Sequence, residues 1–276
     1  MSLDAHLHIW DRTRSSYAWL ENAPEEITGS FTVDDGFAAL DSYGVERAIL
    51  VQADETLDET AFLLATAAQD PRIAGVVAYL PLHDAAEFAR GWDLFGDHPS
   101  LVGVRNLTHD RPDDDWNVRP EVLAGIAAVA ERGLPLDYVA VTPRHLAHVP
   151  TIAAAHPELT IVIDHLAKPP IGSPDAWEVW RVGLRAAAGF DNVVAKVSGV
   201  YGGEAPGATV ADAVRTAVDA FGPDRLMFGS DWPVILTAGG PGAALPPLLE
   251  ALDGLNAADR DAILGGTARR VYGVGA

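Results

Sequence analysis

Short apolar runs recur along the chain, each closing in polar or turn residues and followed by a stretch with helical spacing. The opening stretch, Ser2 to Asp11, reads as a short buried strand that ends in His6 and His8. Seven further runs follow at Glu46–Ala53, Ile73–Leu80, Leu101–Asn106, Leu134–Val139, Thr160–His165, Val193–Ser198 and Leu226–Asp231. Between them the spacing predicts helices over about Val33–Tyr43, Asp58–Gln69, Ala85–Trp92, Pro120–Glu131, a segment after Pro143, Pro174–Ala188 and Ala208–Phe221. Two more, Pro241–Leu252 and Ala257–Tyr272, finish the chain. Caps and stops agree with these bounds, since Thr32 or Asp34 opens the first helix, Gly44 ends it and Gly133 ends the fourth. Eight strands alternating with helices predict parallel βαβ units of the α/β class, and closure of the sheet gives a (β/α)8 barrel. A doubly wound open sheet is the rival, but no dinucleotide glycine fingerprint follows the first strand.

Length and composition narrow the picture. A chain of 276 residues, 49% hydrophobic, fits one barrel domain over residues 1–276, because such barrels typically occupy about 250 residues. Residues 12 to 30 lack clean periodicity and carry Tyr17, Trp19 and Pro24, so they read as a lid or binding loop rather than a plain connector. A net charge of -20 argues against nucleic acid or an anionic membrane surface as the partner. No apolar run approaches the roughly 20 residues of a membrane helix, and the opening residues lack a signal-peptide pattern, so the cytoplasm is the expected location. With no cysteine, disulfides, thiolate metal sites and cysteine nucleophiles are excluded. The only lysines are Lys168 and Lys196, both near strand ends beside other polar residues.

In a barrel the loops that follow the strands form one mouth, so residues far apart in sequence converge there. His6, His8, Arg105, His165, Lys196 and Asp231 all stand at such ends. On a strand the i, i+2 spacing puts His6 and His8 on one face. Histidine both ligates borderline metals and moves protons near neutral pH. Arg105 offers a planar fork of donors for a carboxylate or lactone oxygen, with a salt bridge to a neighbouring acid as the equal alternative. Trp19 in the long loop and Tyr201 after the seventh strand are further candidate substrate contacts. His145 and His148, three apart on an expected surface helix, read as structural.

Across nearly its whole length the chain resembles the amidohydrolase superfamily. The resemblance rests on His6-Leu7-His8 after the first strand, His165 after the sixth and Ser230-Asp231 after the eighth. More narrowly, Asp4 to Asp11, Asp164 to Pro169, Lys196 to Gly199 and Arg225 to Pro233 resemble the amidohydrolase-related branch that holds sugar-acid lactonases and 2-pyrone-4,6-dicarboxylate lactonase. The resemblance implies a barrel hydrolase that opens a small sugar-acid or dicarboxylate lactone. Asp231 would activate water and could later protonate the leaving alkoxide. His165 and the His6/His8 pair, or a metal they hold, would polarise the carbonyl, while Arg105 and Lys196 orient the substrate. Binuclear members carry a carboxylated lysine or glutamate after the fourth strand and a histidine after the fifth, whereas this chain has Arg105-Asn106 and Asp137-Tyr138. The expected cofactor is therefore none or one divalent ion, zinc first, held by His6, His8 and Asp231. The branch commonly ends its fourth strand in Arg-His, and Asn106 replaces that histidine. A metal-dependent decarboxylase or amide hydrolase is the second reading, and a non-catalytic small-molecule binding protein the third. Neither nucleic acid nor membrane is expected as a partner, and a homo-oligomer remains open.

Overall fold

The coordinates are a computed structural model that describes residues 2–109, 111–202 and 207–275. Asp110, in the polar segment read after the fourth strand, lies outside the described residues. Eight parallel strands pair in chain order: β1 (Ser2–Leu7), β2 (Val45–Val51), β3 (Ile73–Ala78), β4 (Leu101–Asn106), β5 (Leu136–Tyr138), β6 (Ile161–Ile163), β7 (Val193–Val197) and β8 (Leu226–Phe228). The ends of the sheet meet where Asp231 N donates to His6 O at 2.9 Å and His8 N to Trp232 O at 2.7 Å. The sheet therefore closes into a (β/α)8 barrel, as the alternation of apolar runs and helices predicts.

Outside the sheet lie α1 (Val33–Leu40), α2 (Leu57–Gln69), α3 (Ala85–Phe95), α4 (Pro120–Glu131), α5 (Pro143–Ala155), α6 (Pro174–Ala188), α7 (Val210–Phe221) and α8 (Pro241–Glu250). Thr32 caps α1 in a reciprocal box with Asp35, and Gly44 takes the left-handed conformation (φ 66°) that stops the turn after it. The final stretch is not one helix. It divides into α9 (Ala257–Asp261), a wide turn over Ala262–Gly266 and α10 (Thr267–Tyr272).

The core has two layers. Leu3, Ala5, Ile49, Val51, Val77, Val102, Val162, Val194 and Met227 form one cluster inside the barrel, joined by Ala268 and Tyr272 of α10. Apolar residues of the opposite strand faces pack outward against the helices. Relative to β2, β1 contains an extra residue, since Asp4 pairs with Ala48 but Leu7 with Leu50. A bulge of this kind changes which side chains face inward. Leu3 and Ala5 fill the barrel, Leu7 and Ile9 join the outer layer, and His6 and His8 turn to the mouth. Lys196 and Asp164 stand two residues beyond Val194 and Val162, which by strand alternation puts them on the same inward face, one layer higher.

Strands β5, β6 and β8 are shorter than their apolar runs suggest. After Ile163 the backbone enters a left-handed turn, with His165, Leu166, Ala167 and Lys168 at φ between 50° and 58°. Left-handed geometry costs roughly 1–2 kcal/mol per non-glycine residue. Four in succession, ending beside the barrel mouth, mark a segment held for its side chains rather than for local preference.

The loop of residues 12–30 forms two short 3-10 turns, Ala18–Asn22 and Glu25–Ile27. Asp54 anchors it through Ser15 Oγ at 2.6 Å and Tyr17 N at 3.0 Å. Trp10 donates to Gly29 O at 2.7 Å. His145 and His148, expected on a surface helix, are buried instead. They face Asp114 at 3.3 Å and Asp115 at 2.9 Å.

Candidate active site

The mouth of the barrel holds a cavity of about 210 Å³ lined by His8, Trp10, Trp19, Arg105, His165, Lys168 and Asp231 among others. Pockets for drug-sized ligands run to roughly 300–1,000 Å³, so this one suits a small single-ring molecule. Its upper walls are apolar: Trp10 meets Trp19 edge to face at 5.3 Å, and Leu107, Val139, Val141 and Val234 complete the lining. Trp19 is fixed by a bond from Nε1 to Ala53 O at 2.7 Å.

At the floor, Asp231 Oδ1 faces three imidazoles, His6 Nε2 at 3.8 Å, His8 Nε2 at 3.7 Å and His165 Nε2 at 3.8 Å. Its other oxygen accepts from Tyr201 OH at 3.1 Å and lies 3.9 Å from Lys168 Nζ. Asp231 is itself left-handed at φ 60°. Burial alone would push its carboxyl up, but His165, His8, Lys168 and His6 together hold it well below the usual carboxylate range. Burial pushes His165 down to about 3, against the opposing pull of Asp231. Burial likewise holds His6 well below the usual imidazole range, so the ionised acid stands beside two rings, His6 and His165, that resist protonation.

Each ring is set by a second partner. His8 Nδ1 lies 2.7 Å from Val51 O, which can only accept, so Nδ1 carries the proton and Nε2 presents its lone pair. His165 Nδ1 meets Ser198 Oγ at 2.9 Å. Gly199, at φ 55°, passes so close that a Cβ there would lie 2.5 Å from His165 Nδ1 and 2.8 Å from Asp231 Oδ2. Asp4 Oδ1 accepts from His6 N and Ser230 N, both at 2.9 Å, and ties the first strand to the turn that carries Asp231.

Beneath these groups lies a buried ionic layer that changes two expectations. Lys196, expected to orient substrate, is fully buried and does not line the cavity; its ammonium pairs with Asp137, with Asp164 at 3.2 Å and with His6 Nδ1 at 3.1 Å. The long inward reach of a lysine on β7 ends below the site, where the carboxylates of Asp137 on β5 and Asp164 just after β6 take up its charge. Arg105 combines both of its readings. Nε donates to Asp164 at 2.7 Å and Nη1 to Gln52 O and Oε1 at 2.8 and 3.0 Å, while the side chain still lines the cavity. Asp164 carries two of these cations: burial would raise its carboxyl, but Lys196, His6 and Arg105 outweigh that and hold it well below the usual range.

Tyr201 touches Asp231 but is not among the cavity-lining residues, and His6 is fully buried behind His8. Asn106 faces neither substrate nor histidine, since its Nδ2 donates to Leu80 O at 2.9 Å. Asp137, Asp164 and Trp10 are not among the candidates the sequence offers, and Lys168 stands out there only as one of two lysines near strand ends. A charged residue inside an apolar strand was the available signal for Asp137.

His6, His8 and Asp231 fit one divalent ion. Their donor atoms lie 3.0 to 3.8 Å apart, near the edge of about 3.4 Å that tetrahedral ligands at zinc-like distances span. Behind them Asp164 Oδ1 lies 3.3 Å from His6 Nδ1 and 3.2 Å from Lys196 Nζ. Without a cation His6 Nδ1 accepts from the Lys196 ammonium at 3.1 Å; a cation on Nε2 would instead put the His6 proton on Nδ1, toward Asp164 Oδ1.

Comparison with known proteins agrees with this frame. The amidohydrolase family profile matches residues 3–274. An L-fucono-1,5-lactonase of Burkholderia multivorans is 34% identical, with 99% of this chain and 96% of that protein covered. One from Burkholderia ambifaria is 36% identical, covering 86% and 82%. Among solved structures, an amidohydrolase from Burkholderia multivorans with bound zinc superposes with a TM-score of 0.88 at 31% identity over 100% of both chains. A 2-pyrone-4,6-dicarboxylic acid hydrolase from Pseudomonas putida, so described provisionally, superposes at 0.69 with 25% identity over 99% and 97%. The chain belongs to the amidohydrolase family.

Proposed function

We propose that this protein hydrolyses the ring ester of a small sugar-acid lactone, with Asp231 taking the proton from the attacking water. The observation that carries the reading is the Asp231 carboxylate, buried at the cavity floor between three imidazoles and the Tyr201–Lys168 side. The L-fucono-1,5-lactonase relatives support a sugar-derived ring.

Ester hydrolysis needs an activated water, donors for the developing oxyanion and groups that orient the ring. Asp231, held ionised, accepts the water proton at Oδ1. His165 and His8 line the cavity beside that oxygen and orient the water. Arg105 lines the cavity with Nε on Asp164 and Nη1 on Gln52, and its guanidinium orients a substrate hydroxyl or carbonyl. Trp10 and Trp19 cover the C–H face of the ring and exclude bulk water. When bound, one divalent ion on His6, His8 and Asp231 would act as a Lewis acid. Zinc is our assignment, supported by the nitrogen and oxygen donor set and the zinc-bound relative.

The test is a screen of aldonolactones and aromatic-derived lactones with a pH indicator, run with and without chelator. Turnover of an aldonolactone by the wild type, abolished in Asp231→Asn, is the expected result. Failure to open any lactone in either condition overturns the reading.

A further inference from the structure

We infer that Lys168 is the proton donor to the leaving ring oxygen, the role that the sequence alone assigned to Asp231. The inference rests on the lactone-hydrolase reading and extends it to a second catalytic residue. Three observations carry it. Lys168 lines the cavity, and its backbone is held there by the run of four left-handed residues that begins at His165. Its ammonium is loosely held, 3.4 Å from Gly199 O, 3.9 Å from Asp231 Oδ2 and 5.8 Å from the centre of the Tyr201 ring. Its side chain is 37% exposed, whereas those of Asp231 and His165 are 2% and 6% exposed, so among these groups Lys168 alone exchanges protons readily with solvent.

The two faces of Asp231 divide the work. Oδ1 meets the imidazoles, where the water is activated, and Oδ2 meets Tyr201 and Lys168 on the far side. A ring held across the carboxylate therefore has water on one side and the ammonium on the other. Water adds to the carbonyl carbon and gives one proton to Asp231. The C–O ring bond then breaks, its electron pair stays on the ring oxygen, and that oxygen takes a proton from Lys168 Nζ. The amine left behind recovers a proton from solvent or from the protonated Asp231, 3.9 Å away, and the hydroxy acid leaves. The histidines stand on the other side, with Nδ1 of His8 turned to Val51 O and Nδ1 of His165 to Ser198 Oγ, while their Nε2 atoms face Asp231 Oδ1.

The experiment compares two lactones that differ in their leaving group, an aldonolactone that releases an alkoxide and a dihydrocoumarin that releases a phenoxide. Lys168→Met should lower kcat on the aldonolactone by about 10²- to 10⁴-fold and on dihydrocoumarin far less, because a phenoxide leaves without a proton. Lys168→Arg should be as defective as Lys168→Met, since a guanidinium keeps the charge but does not release a proton. Should Lys168→Met fail to fold, Lys168→Ala with added ethylammonium serves instead, with recovery on the aldonolactone as the expected result. Equal losses on the two lactones, wild-type rates in Lys168→Arg, or no amine recovery would overturn the inference while leaving the lactonase reading intact. A wild type that opens neither lactone would instead overturn both.

Discussion

At the scale of single residues the site depends on two positions that tolerate little change. Asp231→Asn keeps the shape but removes the basicity, and a general base contributes about 10²- to 10⁴-fold to rate, so kcat should fall by that order with the fold unchanged by circular dichroism. The sign of the pH dependence follows from the same group. Its carboxyl sits well below the usual carboxylate range, so the base stays ionised through the neutral and mildly acidic range and should give no acid limb there. His165, pushed by burial to about 3, adds no step in that window. An acid limb of kcat/KM near 6.5 would move the base to a histidine. Gly199→Ala should cut activity even where the protein folds, because the new Cβ enters the space of His165 Nδ1 and Asp231 Oδ2 at a backbone angle, φ 55°, that side chains disfavour.

At the scale of elements, the loop of residues 12–30 and the left-handed turn after β6 place chemistry that no regular strand or helix would. The loop presents Trp19 and is held by Asp54, so Trp19→Ala should raise KM through lost contact area. Asp54→Ala should raise it too by loosening the anchor, and both are read from saturation kinetics on the same lactone. The first helix offers a control remote from the site. Removing the Thr32 cap with Thr32→Ala should cost about 1 kcal/mol of stability, measured by urea unfolding, with kcat unchanged.

At the scale of the whole molecule, Asp137 of β5, Asp164 just after β6, Lys196 of β7 and Arg105 of β4 lock the barrel beneath its mouth. Tyr272 OH reaches up from the base to Asp137 at 2.9 Å and joins the C-terminal helix to this layer. Removing one member of a buried pair costs about 3–5 kcal/mol because the other charge stays behind. Lys196→Met should therefore lower the melting temperature sharply, and the further change Asp137→Leu should restore part of the loss. A double variant no more stable than Lys196→Met would show that the two charges do not act as a pair.

The amino-acid sequence alone determined the alternation of eight strands with helices, the cap at Thr32, the stop at Gly44 and the convergence of His6, His8, Arg105, His165 and Asp231 on one end. These follow from local rules: hydrophobic period, capping chemistry, and the geometry that sends every loop after a parallel strand to the same face. Tertiary structure decided which of those side chains reach the cavity. Lys196 and Lys168 look alike in sequence, each a lone lysine near a strand end, yet one lies sealed among carboxylates and the other lines the mouth. Strand alternation seats Lys196 on the inner face of β7, whereas the left-handed run after Ile163 carries Lys168 to the mouth, as the extra residue in β1 does the two histidines. Both are irregularities that nonlocal packing imposes against local preference, and no periodic pattern in the chain records them. Asp164 was legible only as part of a motif; its partners stand on β4, on β7 and on β1 at His6, and closure of the barrel brings those charges together.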